Sequence, residues 1–365
     1  MHIDGIIIGG GIVGLALAEQ LMERFPNFEF ALFEENPYPG ECSSSRNSGV
    51  LHSGIYYKKN SLKHLHCLRG RELWDSLANK YKIPIKKCGK ILFANGPEEI
   101  AKLEALKENG VNNQVPELSW ADEQLITEVS DYVNVDRALV CGSTGIIDLA
   151  GAIRAISQAV YNKNIPILLD NKVKGLSKSL GKFEIQTTNE NFTSNFVFNC
   201  AGRNSLEIRN LLGLTDLSEK LVKGHYLKYS GNYYREKLLY PMPLKSLKGL
   251  GIHTCLDFEG NVLFGPDAQE RTDASFRMEE KDIREMKEYV LQTYKGIDPD
   301  KLAMDYCGIR NKIIKAEKLF EDFWVGDPSS TGIKGYFEFC GIESPGFTSA
   351  PSLAEELCIK LDAYL

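Results

Sequence analysis

Apolar and polar positions follow two rhythms from the start of the chain. Ile6, Ile7 and Ile8 form an unbroken β-branched run, as expected of a strand buried on both faces of a parallel sheet. The spacing then becomes helical, with Val13, Ala16, Leu17 and Leu21 on one stripe, and a second apolar strand follows at Phe30–Phe33. Residues 61–81 read as a helix capped by Ser61, with Leu73, Trp74, Leu77 and Tyr81 turned to a core. A strand over Lys90–Ala94 and a charged helix over 98–109 come next. A helix begins at Asp148, and Leu149, Ala152, Ile153, Ile156 and Val160 form its apolar stripe. Residues 165–169 predict a buried strand, and 183–187 pair with 192–198 as a hairpin across Asn189-Glu190-Asn191.

From 220 to 305 the strands mix aromatic and polar positions, as at 225–229 and 237–240, with a turn at Glu259-Gly260-Asn261. That pattern suits an antiparallel sheet with one face over a ligand cavity. A charged helix is expected over 275–294. A last helix is expected from Ser352, whose capping box with Glu355 precedes the stripe Leu353, Leu357 and Leu361.

The first turn carries the chemistry. Gly9, Gly11 and Gly14 follow the opening strand in G-x-G-x-x-G spacing. Gly9 allows the tight turn, Gly11 the approach of a pyrophosphate, and Gly14 close packing of helix on strand, with the helix amides facing the phosphates. Glu34, at the end of the second strand, is placed to accept hydrogen bonds from a ribose, which favours a free 2′-hydroxyl over a 2′-phosphate. The motif predicts a dinucleotide without separating FAD from NAD.

Composition narrows the class. A chain of 365 residues is expected to form two lobes. A net charge of −6 argues against nucleic-acid binding, and no apolar run is long enough to span a bilayer. The N-terminus has no basic leader, so a cytoplasmic protein is expected. Nine cysteines without a C-x-x-C pair predict reduced, buried thiols and no metal site.

Residues 42–57, Cys-Ser-Ser-Ser-Arg-Asn-Ser-Gly-Val-Leu-His-Ser-Gly-Ile-Tyr-Tyr, offer hydroxyls, amides and backbone N–H groups to a cofactor. This stretch resembles the L-2-hydroxyglutarate dehydrogenase/oxidase family, a branch of the D-amino-acid-oxidase-like FAD flavoproteins. The resemblance continues through Cys88-Gly89-Lys90, 142–148, Lys223-Gly224-His225-Tyr226, 249–254, Phe264-Gly265-Pro266-Asp267, Gly308-Ile309-Arg310 and 341–346. It implies an α/β, two-lobe fold, with a Rossmann-like FAD-binding domain (1–85, 141–220 and 306–365) and an antiparallel-sheet substrate domain (86–140 and 221–305). The expected FAD-binding set is Gly9, Gly11, Ile12, Val13, Gly14, Glu34, Glu35, Ser44, Ser45, Arg46, Asn47, Ser48, Val173, Ala201, Gly202, Gly308, Gly341, Glu343, Ser344, Pro345, Gly346 and Phe347. Backbone amides of 341–346 are expected at the flavin edge, with Glu343 a structural acceptor.

Oxidising a 2-hydroxy acid removes a hydride from carbon and a proton from oxygen, and histidine is the natural base. Of six histidines, His64 and His66 are expected on a helix surface and His2 is terminal. His52 is expected to be the base, His253 is the second candidate, and His225 is weaker. Arg310 is expected to grip a substrate carboxylate, although Asn311 stands where the family usually has proline. Tyr56, Lys223 and Tyr226 complete the substrate set, Lys223 for a distal carboxylate. The implied partners are a small 2-hydroxy (di)carboxylic acid and an acceptor, quinone or oxygen; the first would involve peripheral contact with the inner membrane. Two rivals are a glycine/sarcosine-type amine oxidase, with Cys307 open to covalent flavin attachment, and a dinucleotide-binding protein without catalysis.

Overall fold

The computed structural model describes residues 1–242 and 251–364; Gly249 and Leu250 of the 249–254 motif lie outside the described residues. The strand His2–Ile8 lies between Phe30–Phe33 and Asn191–Asn199, all parallel, with Ile7 opposite both Leu32 and Phe198. These side chains are fully buried, because helices cover the sheet. Val173–Ser179 and Lys182–Thr187 extend one edge, Ile167–Leu168 closes the other, and Tyr336–Cys340 returns from the end of the chain to pair with Asn191–Asn199. Leu15, Trp74, Ile153 and Leu357, from four helices, share a core with Ile7 and Phe198.

The second assembly hangs on two long antiparallel strands. Leu217–Tyr229 and Leu302–Lys315 pair almost end to end, with a register shift between His225 and Leu227. Positions 220 and 305 therefore fall inside continuous strands. Val262–Gly265, His253–Leu256 and Gln269–Arg271 widen this sheet. A four-stranded sheet built on Lys90–Ala94 packs against it, and Leu92, Phe93, Leu139, Tyr233, Phe264 and Tyr294 make one core.

Three expectations are corrected. The helix expected over 275–294 is Glu280–Thr293, because Asp273 and Ser275 side chains capture the Ser275 and Arg277 amides and hold that stretch in turns. The last helix is Gly346–Leu361, starting six residues before Ser352. Pro351 is tolerated inside it because Trp74 Nε1 donates to the Phe347 carbonyl, at 2.9 Å, in place of the missing amide. His64 and His66 are buried, not exposed. His64 Nε2 meets the Asn113 carbonyl at 3.1 Å, and His66 lies between Ser352 and Glu356, because their helix is packed on both sides.

All nine cysteines are free, and eight are buried. No helix among the described residues is long and apolar enough to cross a membrane.

Candidate active site

The glycine-rich turn is braced from both sides. Gly9 has φ +109°, and a Cβ there would lie 2.3 Å from the Cys200 carbonyl oxygen, while a Cβ on Gly14 would lie 2.0 Å from that of Gly9. Only glycine fits either position. Glu34 accepts the Gly10 amide at 2.7 Å and the Asn36 amide at 2.9 Å, so its carboxylate also secures the turn. The helix Ile12–Arg24 starts from Gly11 without a side-chain cap, and the Ser44 hydroxyl accepts the Ile12 amide at 2.9 Å.

Two cavities meet at Gly11, Ser43, Ser44 and Gly202. The smaller, about 100 Å³, is lined by Gly9, Glu34, Glu35, Val173 and Ala201, and by Asn171, whose buried side-chain nitrogen has no partner among the described residues. The larger, about 950 Å³, is lined by Ile12, Val13, Arg46, Asn47, Ser48, Gly308 and residues 342–348. A channel with an acidic, glycine-lined end, a helix N-terminus at its waist and a wide inner chamber fits FAD extended from adenosine to isoalloxazine.

His52, His253, Arg310, Tyr56 and Tyr226 line the larger cavity together. His52 follows the strand Val50–Leu51; its backbone is fixed by Thr348, and its Nε2 lies 3.2 Å from the Ser344 hydroxyl. Burial drives its imidazole down to about 3, with Lys90, His253 and Arg310 adding repulsion. His253 is likewise driven down to about 3, first by burial. Its Nδ1 meets the Thr254 carbonyl at 3.0 Å, which requires a proton on Nδ1 and leaves Nε2 as the acceptor. Both rings are neutral at neutral pH.

No carboxylate among the described residues pairs directly with Arg310. Asn311 braces the same strand by donating to the Arg203 carbonyl and to Glu219, so the absent proline is replaced by side-chain hydrogen bonds. Tyr226 stacks on Tyr306 at 4.4 Å. Glu343 is ion-paired to Lys63 at 2.8 Å and to Lys312 at 3.0 Å. Burial would raise its carboxyl, but the two ammonium groups hold it below the usual range.

Several expected residues stand elsewhere. Ser45 lines neither cavity, because its hydroxyl turns back to the Glu41 and Cys42 carbonyls. Gly341 packs against Ile313 instead of facing the chamber. Gly14 is a packing residue, one turn below the cradle. Lys223 is buried away from the cavity, and its Nζ donates to the Arg277 carbonyl at 2.9 Å. His225 points to Asp267 at 2.9 Å. Ser43 and Tyr57, within the 42–57 stretch but not singled out in it, also line the chamber, as do Arg203 and Thr348, which sequence reasoning left unassigned. The only available signal was their proximity to the motifs.

Comparison with known proteins agrees with this geometry. The chain is 30% identical to a mitochondrial L-2-hydroxyglutarate dehydrogenase from Arabidopsis thaliana, over 98% of this chain and 83% of that protein. It is 26% identical to a glycerol 3-phosphate dehydrogenase from Caloramator mitchellensis, over 96% of this chain and 72% of that one. Its fold matches dithionite-reduced L-α-glycerophosphate oxidase from Mycoplasma pneumoniae with FAD bound, at TM-score 0.89 and 22% identity, covering 100% of this chain and 96% of that one. The family model described as DAO, FAD dependent oxidoreductase, matches residues 4–358. With nearly its whole length inside that match and a channel shaped for the cofactor, the chain belongs to the FAD-dependent oxidoreductases of the DAO family.

Proposed function

We propose that this FAD-dependent oxidoreductase converts L-2-hydroxyglutarate, or a close 2-hydroxy acid, to the 2-oxo acid. The observation that carries the reading is the convergence in one chamber of two neutral imidazoles and a guanidinium that has no direct carboxylate partner among the described residues. The name of the Arabidopsis relative supports the substrate class. Bound FAD would supply the two-electron redox chemistry that takes the hydride from the substrate carbon. Arg310 holds the carboxylate next to the reacting carbon in a two-pronged pair. His52 accepts the hydroxyl proton, and Ser344 fixes its ring; His253 offers Nε2 to the same region. The helix Gly346–Leu361 begins at the chamber wall, where its N-terminal amides favour developing negative charge. A quinone or oxygen takes the electrons afterwards.

The FAD-binding residues in this reading are those lining the two cavities, from Gly9 and Glu34 through Ser44 to Gly346 and Phe347. Convergence of the histidines and Arg310 counts against a non-catalytic dinucleotide binder. The test is anaerobic mixing with L-2-hydroxyglutarate while following the oxidised-flavin absorbance. Bleaching by the L-form alone is the expected result. A yellow protein bleached by glycine or sarcosine, and not by hydroxy acids, would make it an amine oxidase.

A further inference from the structure

Beside the chamber, three neighbouring side chains each bury a polar atom that has no hydrogen-bond partner among the described residues. Lys90 opens the strand Lys90–Ala94, and its wholly buried Nζ has no hydrogen-bond partner among the described residues. That nitrogen lies 4.7 Å from the ring centre of Tyr56 and 4.8 Å from that of Tyr240. Both phenol hydroxyls are buried and likewise have no hydrogen-bond partner among the described residues. Tyr56 lines the chamber, and Tyr240 stacks on the His253 ring at 3.9 Å, so the cluster adjoins the reacting groups. No carboxylate among the described residues acts on Lys90.

A buried amine without an acceptor is costly, and an amine flanked by two unpartnered phenols, each able to donate, suits an anion. We propose that Lys90, with the hydroxyls of Tyr56 and Tyr240, binds the second negative group of the substrate, at the end not held by Arg310, and so selects a dicarboxylate over a monocarboxylate. The inference rests on the substrate reading above and assigns the role that Lys223, turned to the Arg277 carbonyl, does not fill. The two aromatic faces hold the ammonium until that group arrives. Burial weakens the basicity of the Lys90 amine, and an arriving carboxylate supplies the counter-charge that favours its protonated form.

The test titrates the holoenzyme with 2-oxoglutarate and with 2-oxopentanoate, which has the same carbon chain without the distal carboxylate. Dissociation constants are read from perturbation of the flavin spectrum and from ligand-induced shifts in Tm. Wild-type protein is expected to prefer 2-oxoglutarate, and Lys90→Met to reduce that preference about tenfold or more. The ligand-free Tm of Lys90→Met is expected to rise, because an unpaired buried amine has been replaced by an apolar chain. Loss of both affinities in proportion, with the preference unchanged, would overturn the inference. Should Lys90→Met fail to fold, Tyr240→Phe decides, since it removes one donor and keeps the ring: a reduced preference supports the site, and an unchanged one overturns it. If wild-type protein binds neither acid and no 2-hydroxy acid bleaches it, the substrate reading fails and this inference with it.

Discussion

His52 Nε2 lies 3.2 Å from the hydroxyl of Ser344, a residue 292 positions later in the chain. The contact joins the loop after Val50–Leu51 to the turn that launches the terminal helix Gly346–Leu361. Thr348 holds the His52 backbone and Ser344 holds the ring nitrogen, so the ring leaves the chamber only by breaking its contact with Ser344. His52→Ala should retain the yellow cofactor and lower the rate of flavin reduction by about 10²- to 10⁴-fold. Ser344→Ala should cost much less, about tenfold, since the base remains. Stopped-flow reduction with equal flavin content checks both, and a wild-type rate in His52→Ala removes that residue from the mechanism.

Arg310→Lys keeps the charge and loses the planar fork. The expected change is a rise of about 10- to 100-fold in the substrate concentration needed for half-maximal reduction, the equivalent of one charge-assisted hydrogen bond. Saturation curves for wild type and variant decide it; superimposable curves would move the carboxylate to another residue.

Acid should weaken the fold through the two histidines. In the folded protein burial holds both down to about 3, against the ordinary 6.5 of the unfolded chain. Between those values the unfolded state binds more protons, so stability is full above 6.5 and falls as pH drops toward 3. Urea titrations across that window should show a shallower slope in the doubly substituted His52→Gln/His253→Gln protein than in wild type. For the same reason, flavin reduction should have no acid limb near 6.5; finding one there would contradict a neutral buried base.

The two motif glycines should fail differently. In Gly14→Ala the new Cβ would meet the Gly9 carbonyl oxygen at 2.0 Å, a backbone clash that should prevent soluble expression. In Gly11→Ala it would lie 3.1 Å from the Ser44 hydroxyl, a side-chain atom that can shift at the cost of its bond to the Ile12 amide, so the protein should fold and lose FAD on dialysis. Flavin-to-protein absorbance ratios after dialysis separate the two cases.

Cys307 is buried, donates its thiol to the Phe276 carbonyl at 3.2 Å, and lies outside the lining of the chamber. Burial also pushes the thiol up, away from the thiolate that attachment needs. Acid precipitation should leave the yellow flavin in the supernatant; a yellow pellet would show a covalent bond.

Local pattern alone determined the parts of this molecule whose physics is local. The strand before Gly9, the helix after it, the hairpin around 189–191 and the helix capped by Ser61 each follow from residue spacing and one capping or turn residue. The glycine spacing likewise announced a dinucleotide, because only residues without a Cβ allow those backbone approaches. Burial and pairing are different in kind, since they depend on what arrives from elsewhere in the chain. Tertiary packing decided that His64 and His66 are interior and that Lys223 turns to Arg277, and it carried the terminal helix back to Gly346 because Trp74 satisfies the carbonyl that Pro351 leaves open. It also left the Lys90 amine between aromatic rings with no hydrogen-bond partner among the described residues. In the sequence Lys90 is one lysine in a short motif, and its meaning comes only from the two tyrosines and the cavity that three distant segments bring to it.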